Sequence, residues 1–242
     1  MLEVLWGVGG AEAHRLCRLL FEMSLLYAFD PVAPSIQLHD VMRAYLLREH
    51  RDAIETFHRD LVDRYENARR VGRAPADLER YFVSWLPSHL KAGRRDADLE
   101  QLLFSYRWLE TKVVRAGVNA ALADYQRLSD DQDARRMQQA LRLSRSVLTH
   151  DARQLAGHLH GRLSGAGSPR MTGLLSAASA GQTGPWLRPL LASFAPPSGP
   201  FEFTIHAHRG EVRAIVQLDR EHFATTGRAR KRTIVLRHLT HY

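Results

Sequence analysis

Apolar residues follow two different periods within the first 50 residues of the chain. In residues 11–24 they recur every three or four positions, which predicts an amphipathic helix. In residues 27–38 they alternate with polar residues on both sides of a proline-containing turn, which predicts a two-stranded ribbon. A helix, a ribbon and a returning helix are typical of the second half of a winged-helix unit. Residues 1–50 are therefore predicted to be the C-terminal part of such a domain.

Helical spacing then continues for more than 100 residues. The predicted helices are short and joined by short loops, which is typical of an all-helical bundle or solenoid. A segment of this length is also sufficient to bury a core of its own. The apolar stripes of the first two helices are Ile54, Phe57, Leu61 and Tyr65, followed by Tyr81, Trp85, Leu86 and Leu90. We predict a helical domain over residues 51–182.

The composition changes twice after the helical segment. Residues 183–200 are rich in Ser, Gly, Ala and Pro and are predicted to be an extended linker, with Trp186 and Leu187 packed on the bundle. Residues 201–242 contain four short apolar runs separated by turn residues, which predicts antiparallel strands. The predicted fold class is therefore mainly α, with a short antiparallel β segment at the C-terminal side.

The charge of the chain raises the question of an acidic partner. Of 242 residues, 34 are Lys or Arg and 26 are Asp or Glu, a net charge of +8. This balance permits binding to nucleic acid or acidic proteins, but the arginines are spread among acids on the predicted helix faces. The densest cluster is Arg228, Arg230, Lys231 and Arg232. It suits either a nucleic-acid phosphate or a solvated hairpin turn, and the alternating residues on both sides favour the turn.

The single cysteine and the lack of long apolar runs predict the cellular compartment of the protein. Cys17 lies within an apolar helical run, so we predict a buried thiol in a reducing compartment. No basic segment followed by a long apolar run resembles a secretion signal, and no stretch approaches the ~20 apolar residues that span a bilayer. We expect a cytoplasmic protein without a membrane partner.

The sequence contains no recognisable catalytic constellation. A GxxxxGK[ST] phosphate loop is absent, and "WGVGG" near the start has Glu12 where a dinucleotide fingerprint needs its third glycine. Histidine pairs such as His158 and His160 point to different sides of a helix and lack the partners of a zinc site. We therefore predict a protein that is not an enzyme and that binds no metal or cofactor by itself.

The order of these segments resembles bacterial signalling ATPases of the apoptotic protease-activating factor type, which belong to the NB-ARC/STAND class and carry a WD-repeat propeller. The resemblance is carried by "RLLFEMSLLYAFDPVAPSIQLHDVMRAYL", "YFVSWLPSHLKAGR", "RWLETKVVRAGVNAALADY", "ALRLSRSVLTHDARQLAGHLHGRL" and "PWLRPLLASFAPPSGP". The middle three resemble the helical domain that links nucleotide module to propeller. The resemblance implies a scaffold role in signal transduction. It also implies protein partners: a nucleotide-binding domain, further propeller blades or a relative.

The strand-to-helix junction after residue 37 resembles a nucleotide sensor of that family. There the winged-helix domain ends in a Met-His-Asp motif whose histidine contacts the β-phosphate of bound ADP. Leu38-His39-Asp40 stands at the matching place, with leucine for methionine. The resemblance implies that His39, oriented by Asp40, senses ADP or ATP in a parent protein. The residues also fit a purely structural interpretation, in which Asp40 caps the following helix and His39 satisfies a loop.

Residues 201–242 resemble a single degenerate WD repeat. Ala207-His208 stands where Gly-His is usual, and Arg237-His238 replaces the Trp-Asp pair at the end of the repeat. A propeller closes with ~4–8 blades, so the resemblance implies one blade of an incomplete ring. The sequence leaves one alternative function open, a winged-helix nucleic-acid-binding protein in which arginines contact phosphates.

Overall fold

In the computed structural model of the chain, the described residues are 2–30, 35–165, 168–184, 186–191, 193–195, 197, 212–218, 222–227 and 233–238. They divide into two compact units, Met1–Gly199 and Pro200–Tyr242. The described part of the first unit is helical apart from one two-stranded sheet, and that of the second is a three-stranded sheet. The predicted mainly α fold class is confirmed.

The first unit begins with two helices, a hairpin and a third helix. These are α1 (Leu2–Trp6), α2 (Gly10–Glu22), β1 (Leu26–Asp30), β2 (Ser35–Leu38) and α3 (Asp40–Glu49). The strands are antiparallel, with Leu26 opposite Leu38. Helix α2 buries Ala13 and Cys17, which confirms the predicted buried thiol, and this burial raises the pKa of Cys17. Only α1 and β1 pack closely on α2 among the described elements, so the predicted apolar stripe remains partly exposed.

Eight further helices complete the unit: α4 (Ile54–Arg70), α5 (Ala76–Ala92), α6 (Asp96–Leu103), α7 (Tyr106–Ala116), α8 (Val118–Tyr125), α9 (Gln132–His150), α10 (Leu155–Leu163) and α11 (Pro169–Ala180). Two 3₁₀ turns, Gln126–Leu128 and Ala152–Gln154, flank α9. Each helix from α4 onward packs on the next, and α7 also packs on α5 and α11. Helix α7 therefore lies at the centre of the bundle.

The helix boundaries follow from local chemistry. The side chain of Asp131 accepts a hydrogen bond from the Ala134 amide at 2.8 Å at the start of α9, and Ser168 caps α11 in the same way. Between α7 and α8 a single residue, Gly117, ends one helix and begins the other. Its φ of 86° lies in the left-handed region that favours glycine.

The core faces of α4 and α5 differ from the predicted stripes. Phe57 and Trp85 are 54% and 53% exposed. The buried face of α5 instead runs through Leu78, Phe82, Leu86 and Leu90, and that of α4 runs through Val62, Tyr65 and Ala68. These positions repeat every three or four residues, and the large aromatic side chains at 57 and 85 lie at the edges of the buried faces, where they meet solvent.

A strap, residues 186–191 and 193–195, lies against α10. The Trp186 ring packs on His160 at a centroid distance of 5.6 Å, as the sequence suggested. Leu187 is 93% exposed, so its predicted packing on the bundle is wrong. Leu190 and Leu191 are also exposed, because the chain passes over the bundle without turning these side chains toward it.

Phe194 anchors the far end of the strap. Its ring occupies the space left by Gly161, where an added Cβ would come within 2.5 Å of the ring. The Phe194 amide donates to the Gly161 carbonyl at 2.9 Å, and Arg162 donates to the Ala195 carbonyl at 2.7 Å. The absence of a side chain at position 161 therefore permits the strap to dock.

The Gly161→Ala substitution is expected to displace the strap. The new methyl group collides with the Phe194 ring, and such overpacking costs about 1–3 kcal/mol. Limited proteolysis should then cut residues 186–197 faster than in the original protein. The matched control is Gly157→Ala in the same helix, whose Cβ meets only ordinary contact at 3.5 Å. Equal cleavage rates for both variants would show that Phe194 does not anchor the strap.

The described part of the second unit is an antiparallel sheet in the order β3 (Val212–Gln217), β4 (His222–Gly227) and β5 (Thr233–His238). Ile215 pairs with Thr225, and Thr225 pairs with Val235. The first of the four predicted strands, at residues 201–208, lies outside the described residues. Whether this sheet is a propeller blade stays a prediction.

Candidate functional site

His39 lies at the junction of β2 and α3. Its backbone is extended, with φ −60° and ψ 140°, and its carbonyl accepts the first helical hydrogen bond from the Arg43 amide at 2.9 Å. The imidazole is exposed and meets the Tyr27 ring edge-on at a centroid distance of 5.5 Å. Because Tyr27 belongs to β1, the hairpin and the helix together position an imidazole that remains accessible to a ligand.

Asp40 does not cap α3. The N-cap position belongs to His39, and no side-chain hydrogen bond caps this end of the helix. The structural interpretation of Asp40 as a cap is therefore wrong, because the helix starts one residue earlier than that interpretation requires. The Asp40 carboxylate lies in the first turn, where the helix dipole favours negative charge. Within the described ranges it forms no hydrogen bond with His39, whose ring is held by Tyr27 instead.

Of the other residues singled out from the sequence, His158 and His160 lie in α10 and do not join this site. Arg228, Arg230, Lys231 and Arg232 lie outside the described residues, so their role stays a prediction. His158 contacts Ser144 Oγ at 3.1 Å, and His160 contacts the Leu175 carbonyl at 3.0 Å. Across the ranges that the structure covers, no three His, Cys, Asp or Glu side chains form a group suited to a metal ion.

A buried charge that the sequence patterns did not predict lies at the centre of the bundle. Pro87 is inside α5 and has no N–H, so the Val83 carbonyl four residues earlier loses its helical donor. Lys112 Nζ, from α7, donates to the Val83 and Ser84 carbonyls, both at 2.9 Å. The same ammonium lies 2.7 Å from Asp124 Oδ2 in α8. The Lys112 ammonium of α7 thus donates to the α5 carbonyl that Pro87 leaves without an amide donor. The Asp124 carboxylate of α8 neutralises the ammonium.

This buried cluster is almost completely shielded from water. The side chains of Lys112 and Asp124 are 2% and 4% exposed. Burial raises the pKa of Asp124, and the neighbouring ammonium of Lys112 opposes that rise. Arg127 adds a hydrogen bond to Ser88 Oγ at 2.7 Å, which ties the turn after α8 to α5. Two features of the sequence could have indicated this buried charge. Pro87 lies within a helical pattern, and Lys112 lies on the same side of its helix as the buried Leu109.

A second polar cluster joins α4 to α5. His58 Nδ1 lies 2.8 Å from His89 Nδ1, and the Tyr81 hydroxyl lies 2.8 Å from His89 Nε2. Burial, with a smaller contribution from the neighbouring His58, lowers the pKa of His89 to about 4. Burial also lowers the pKa of His58. One of the two facing nitrogens must accept a hydrogen bond from the other, so the contact requires at least one neutral ring.

Acid is expected to weaken the bundle through His89. Its pKa is lowered on folding, so the unfolded state takes up a proton first as the pH falls below about 6.5. The contribution of His89 is complete above that pH and is lost as the pH falls to about 4, by roughly 3 kcal/mol at 1.36 kcal/mol per pKa unit. Urea unfolding at several pH values measures this loss. The His89→Gln variant should have a flatter pH profile, and an unchanged profile would contradict the assignment.

None of the described helices combines the length and the apolar content that crossing a bilayer requires.

Comparison with known proteins places these clusters in a known type of domain. Residues 54–154 match the family model described as the APAF-1 helical domain. Over 130 residues the chain is 27% identical to apoptotic protease-activating factor 1 of Danio rerio, a match covering 52% of this chain and 10% of that protein. The chain thus spans about a tenth of the length of this curated relative. The family match runs from the first residue of α4 to the end of the turn Ala152–Gln154, and includes both buried polar clusters. Residues 54–154 are therefore similar to the APAF-1 helical domain, and over this region the chain is apoptotic protease-activating factor-like.

Proposed function

We propose that this chain is the non-catalytic scaffold region of an apoptotic-factor-like signalling ATPase of the NB-ARC/STAND class. The observation that carries the proposal is the match of residues 54–154 to the APAF-1 helical domain. In this proposal residues 1–50 are the end of a winged-helix domain, 51–182 the helical domain and 183–200 a linker. Residues 201–242 are one degenerate WD-repeat blade. The partners are proteins, namely the nucleotide-binding domain, further blades or a relative, and the location is the cytoplasm.

A connecting domain transmits movement only if it resists bending, and the buried Lys112 supports this role. Its ammonium joins α5, α7 and α8 through two carbonyls and one carboxylate. Displacing any of these helices would leave a charge or a carbonyl buried without its partner, which is costly in a dry interior. We infer that this part of the helical domain moves as one piece between a nucleotide switch and a sensor.

Nucleotide sensing belongs to the parent protein in this proposal. The exposed imidazole of His39, positioned by Tyr27, suits a hydrogen bond to a phosphate oxygen of ADP held by a separate nucleotide-binding module. Replacement of ADP by ATP would then release this contact between His39 and the nucleotide. The first test is the reading frame upstream of Met1, where the proposal requires an in-frame GxxxxGK[ST] motif.

The His39→Ala substitution in such a parent protein is expected to release ADP about tenfold faster, the effect of losing one charge-assisted hydrogen bond. Release of a fluorescent ADP analogue measures it. His50→Ala is the matched control, because His50 is also exposed and follows the other end of α3. Equal rates for both variants would remove His39 from the nucleotide site without affecting the assignment of the helical domain.

The purified chain alone is expected to show no ATP hydrolysis. Turnover that disappears in the His39→Ala variant would contradict a non-catalytic role. The alternative of a winged-helix nucleic-acid-binding protein has no comparable support, because the family match falls on the helical domain.

A further inference from the structure

Basic residues outnumber acids most strongly in one segment of the first unit. Residues 134–199 contain eight arginines, no lysine and a single acid, Asp151, whereas residues 51–133 contain 14 basic and 15 acidic residues. The spread of arginines among acids that the sequence suggested therefore holds for the first half of the helical domain and not for the second. Helices α10 and α11, and all of α9 after Gln132 and Asp133, belong to this segment.

Half of these eight arginines already have a partner within the described residues. The pairs are Arg136 with Asp133, Arg153 with Asp151, Arg162 with the Ala195 carbonyl, and Arg170 with Asp131. Three others, Arg135, Arg142 and Arg145, are exposed on α9 and have no acid within ion-pair distance in the part of the chain that the structure covers.

These three arginines form a row on a firmly held helix. Their separations of seven and three residues place them on one side of α9, about 10 Å and about 5 Å apart along its axis. The opposite side is buried through Met137, Leu141 and other core residues. The backbone of α9 is therefore fixed by packing. A partner would contact the three guanidinium groups at fixed distances from one another.

We propose that this arginine row, Arg135, Arg142 and Arg145, is a docking surface for an acidic α-helical segment of a partner protein. A guanidinium forms paired hydrogen bonds with a carboxylate, which gives geometry as well as attraction. A helix lying antiparallel to α9 presents carboxylates at the same spacings when its acidic residues occupy positions i, i+3 and i+10. The proposal is independent of whether the parent protein is an ATPase.

Features of the same face favour a protein over a single-stranded nucleic acid. Proteins that track a single strand combine a basic groove with aromatic side chains on which bases stack. Helix α9 contains no Phe, Tyr or Trp, and the arginine row lies along one exposed side of the helix rather than in a groove. No large apolar side chain of α9 is strongly exposed, so recognition depends on charge and spacing.

The test uses the full chain and a fluorescently labelled, alanine-rich helical peptide with glutamates at positions i, i+3 and i+10. A peptide of the same composition in scrambled order is the ligand control. Anisotropy at low salt should show tighter binding of the matched peptide, with a steep loss as salt is added. The R135E/R142E/R145E variant should lose at least about tenfold in affinity, as expected when three attractive pairs become repulsive.

The R80E/R107E/R115E variant is the matched protein control. It changes the net charge by the same amount, and its three arginines are exposed on α5 and α7. It should bind the matched peptide within about twofold of the original chain. Equal losses in both variants, or equal binding of the scrambled peptide, would overturn the proposal. Tighter binding of duplex DNA that depends on the same row would also overturn it, because the occupant would then be a nucleic acid.

Discussion

Replacing Lys112 by methionine is expected to lower the free energy of unfolding by about 3–5 kcal/mol, the cost of breaking a buried ion pair by removing one partner. The substitution leaves the Asp124 carboxylate in the interior without its cation. It also leaves the Val83 carbonyl without the donor that replaces the missing Pro87 amide, and the Ser84 carbonyl loses its hydrogen bond from the ammonium. Methionine fills nearly the same volume, so the loss measures polar chemistry rather than a cavity.

Urea unfolding of the variant, with Lys91→Met as control, measures this loss. Lys91 is paired with Asp96 on the surface, where its side chain is 47% exposed, and removing it should cost about 0–1 kcal/mol. The Lys112→Met/Asp124→Leu double variant should be more stable than Lys112→Met alone, because no unpaired charge remains. Similar losses at positions 91 and 112 would contradict the role assigned to the buried ammonium.

A double-mutant cycle separates the role of the proline. Pro87→Ala restores an amide that donates to the Val83 carbonyl within α5. In that background the Lys112→Met substitution should therefore cost less than in the original chain. A coupling near zero between positions 87 and 112 would show that the lysine does not compensate for the proline.

Replacing Phe82 by alanine is expected to cost about 3–5 kcal/mol, the usual range for a buried aromatic residue. Phe82 is completely buried and stacks on Tyr65 with a centroid distance of 3.7 Å, so its removal opens the contact between α4 and α5. Phe82 also lies against His89. Water entering the cavity would raise the pKa of His89 toward its ordinary value and flatten the pH profile described above.

The matched control for this prediction is Phe57→Ala. Phe57 lies on α4 and is 54% exposed, so the same substitution should cost less than about 1 kcal/mol. Thermal or urea unfolding of both variants, with the pH profile of Phe82→Ala, provides the comparison. A larger loss at position 57 than at position 82 would reverse the assignment of the core face of α4 and α5.

Much of the helical architecture is predictable from the sequence because its apolar residues recur at helical spacing. The phase of the first two bundle helices was not predicted correctly, since Phe57 and Trp85 are large and apolar yet face solvent. Size alone does not show which side of a helix meets its neighbours, and that depends on packing partners distant in sequence.

The pairing of Lys112 with the carbonyls before Pro87 could not be predicted from the sequence for a similar reason. Lys112 and Pro87 are 25 positions apart, and nothing local to either residue indicates that one compensates for the other. His39 is the opposite case: its position at the end of a strand was predicted from the chain breaks and the motif. Its contact with Tyr27 depends on strand pairing, and its proposed ligand remains to be tested.

Because Lys112 is buried, the reactivity of its amine reports on the separation of the helices around it. Within the first unit the only other lysine is the exposed Lys91, so an amine-reactive reagent should mark Lys91 promptly and Lys112 only when α5, α7 and α8 separate. The ratio of the two labelling rates, followed by mass spectrometry, counts how often the centre of the bundle opens in the native protein. Labelling of Lys112, which joins α5, α7 and α8, thus measures how often these helices separate.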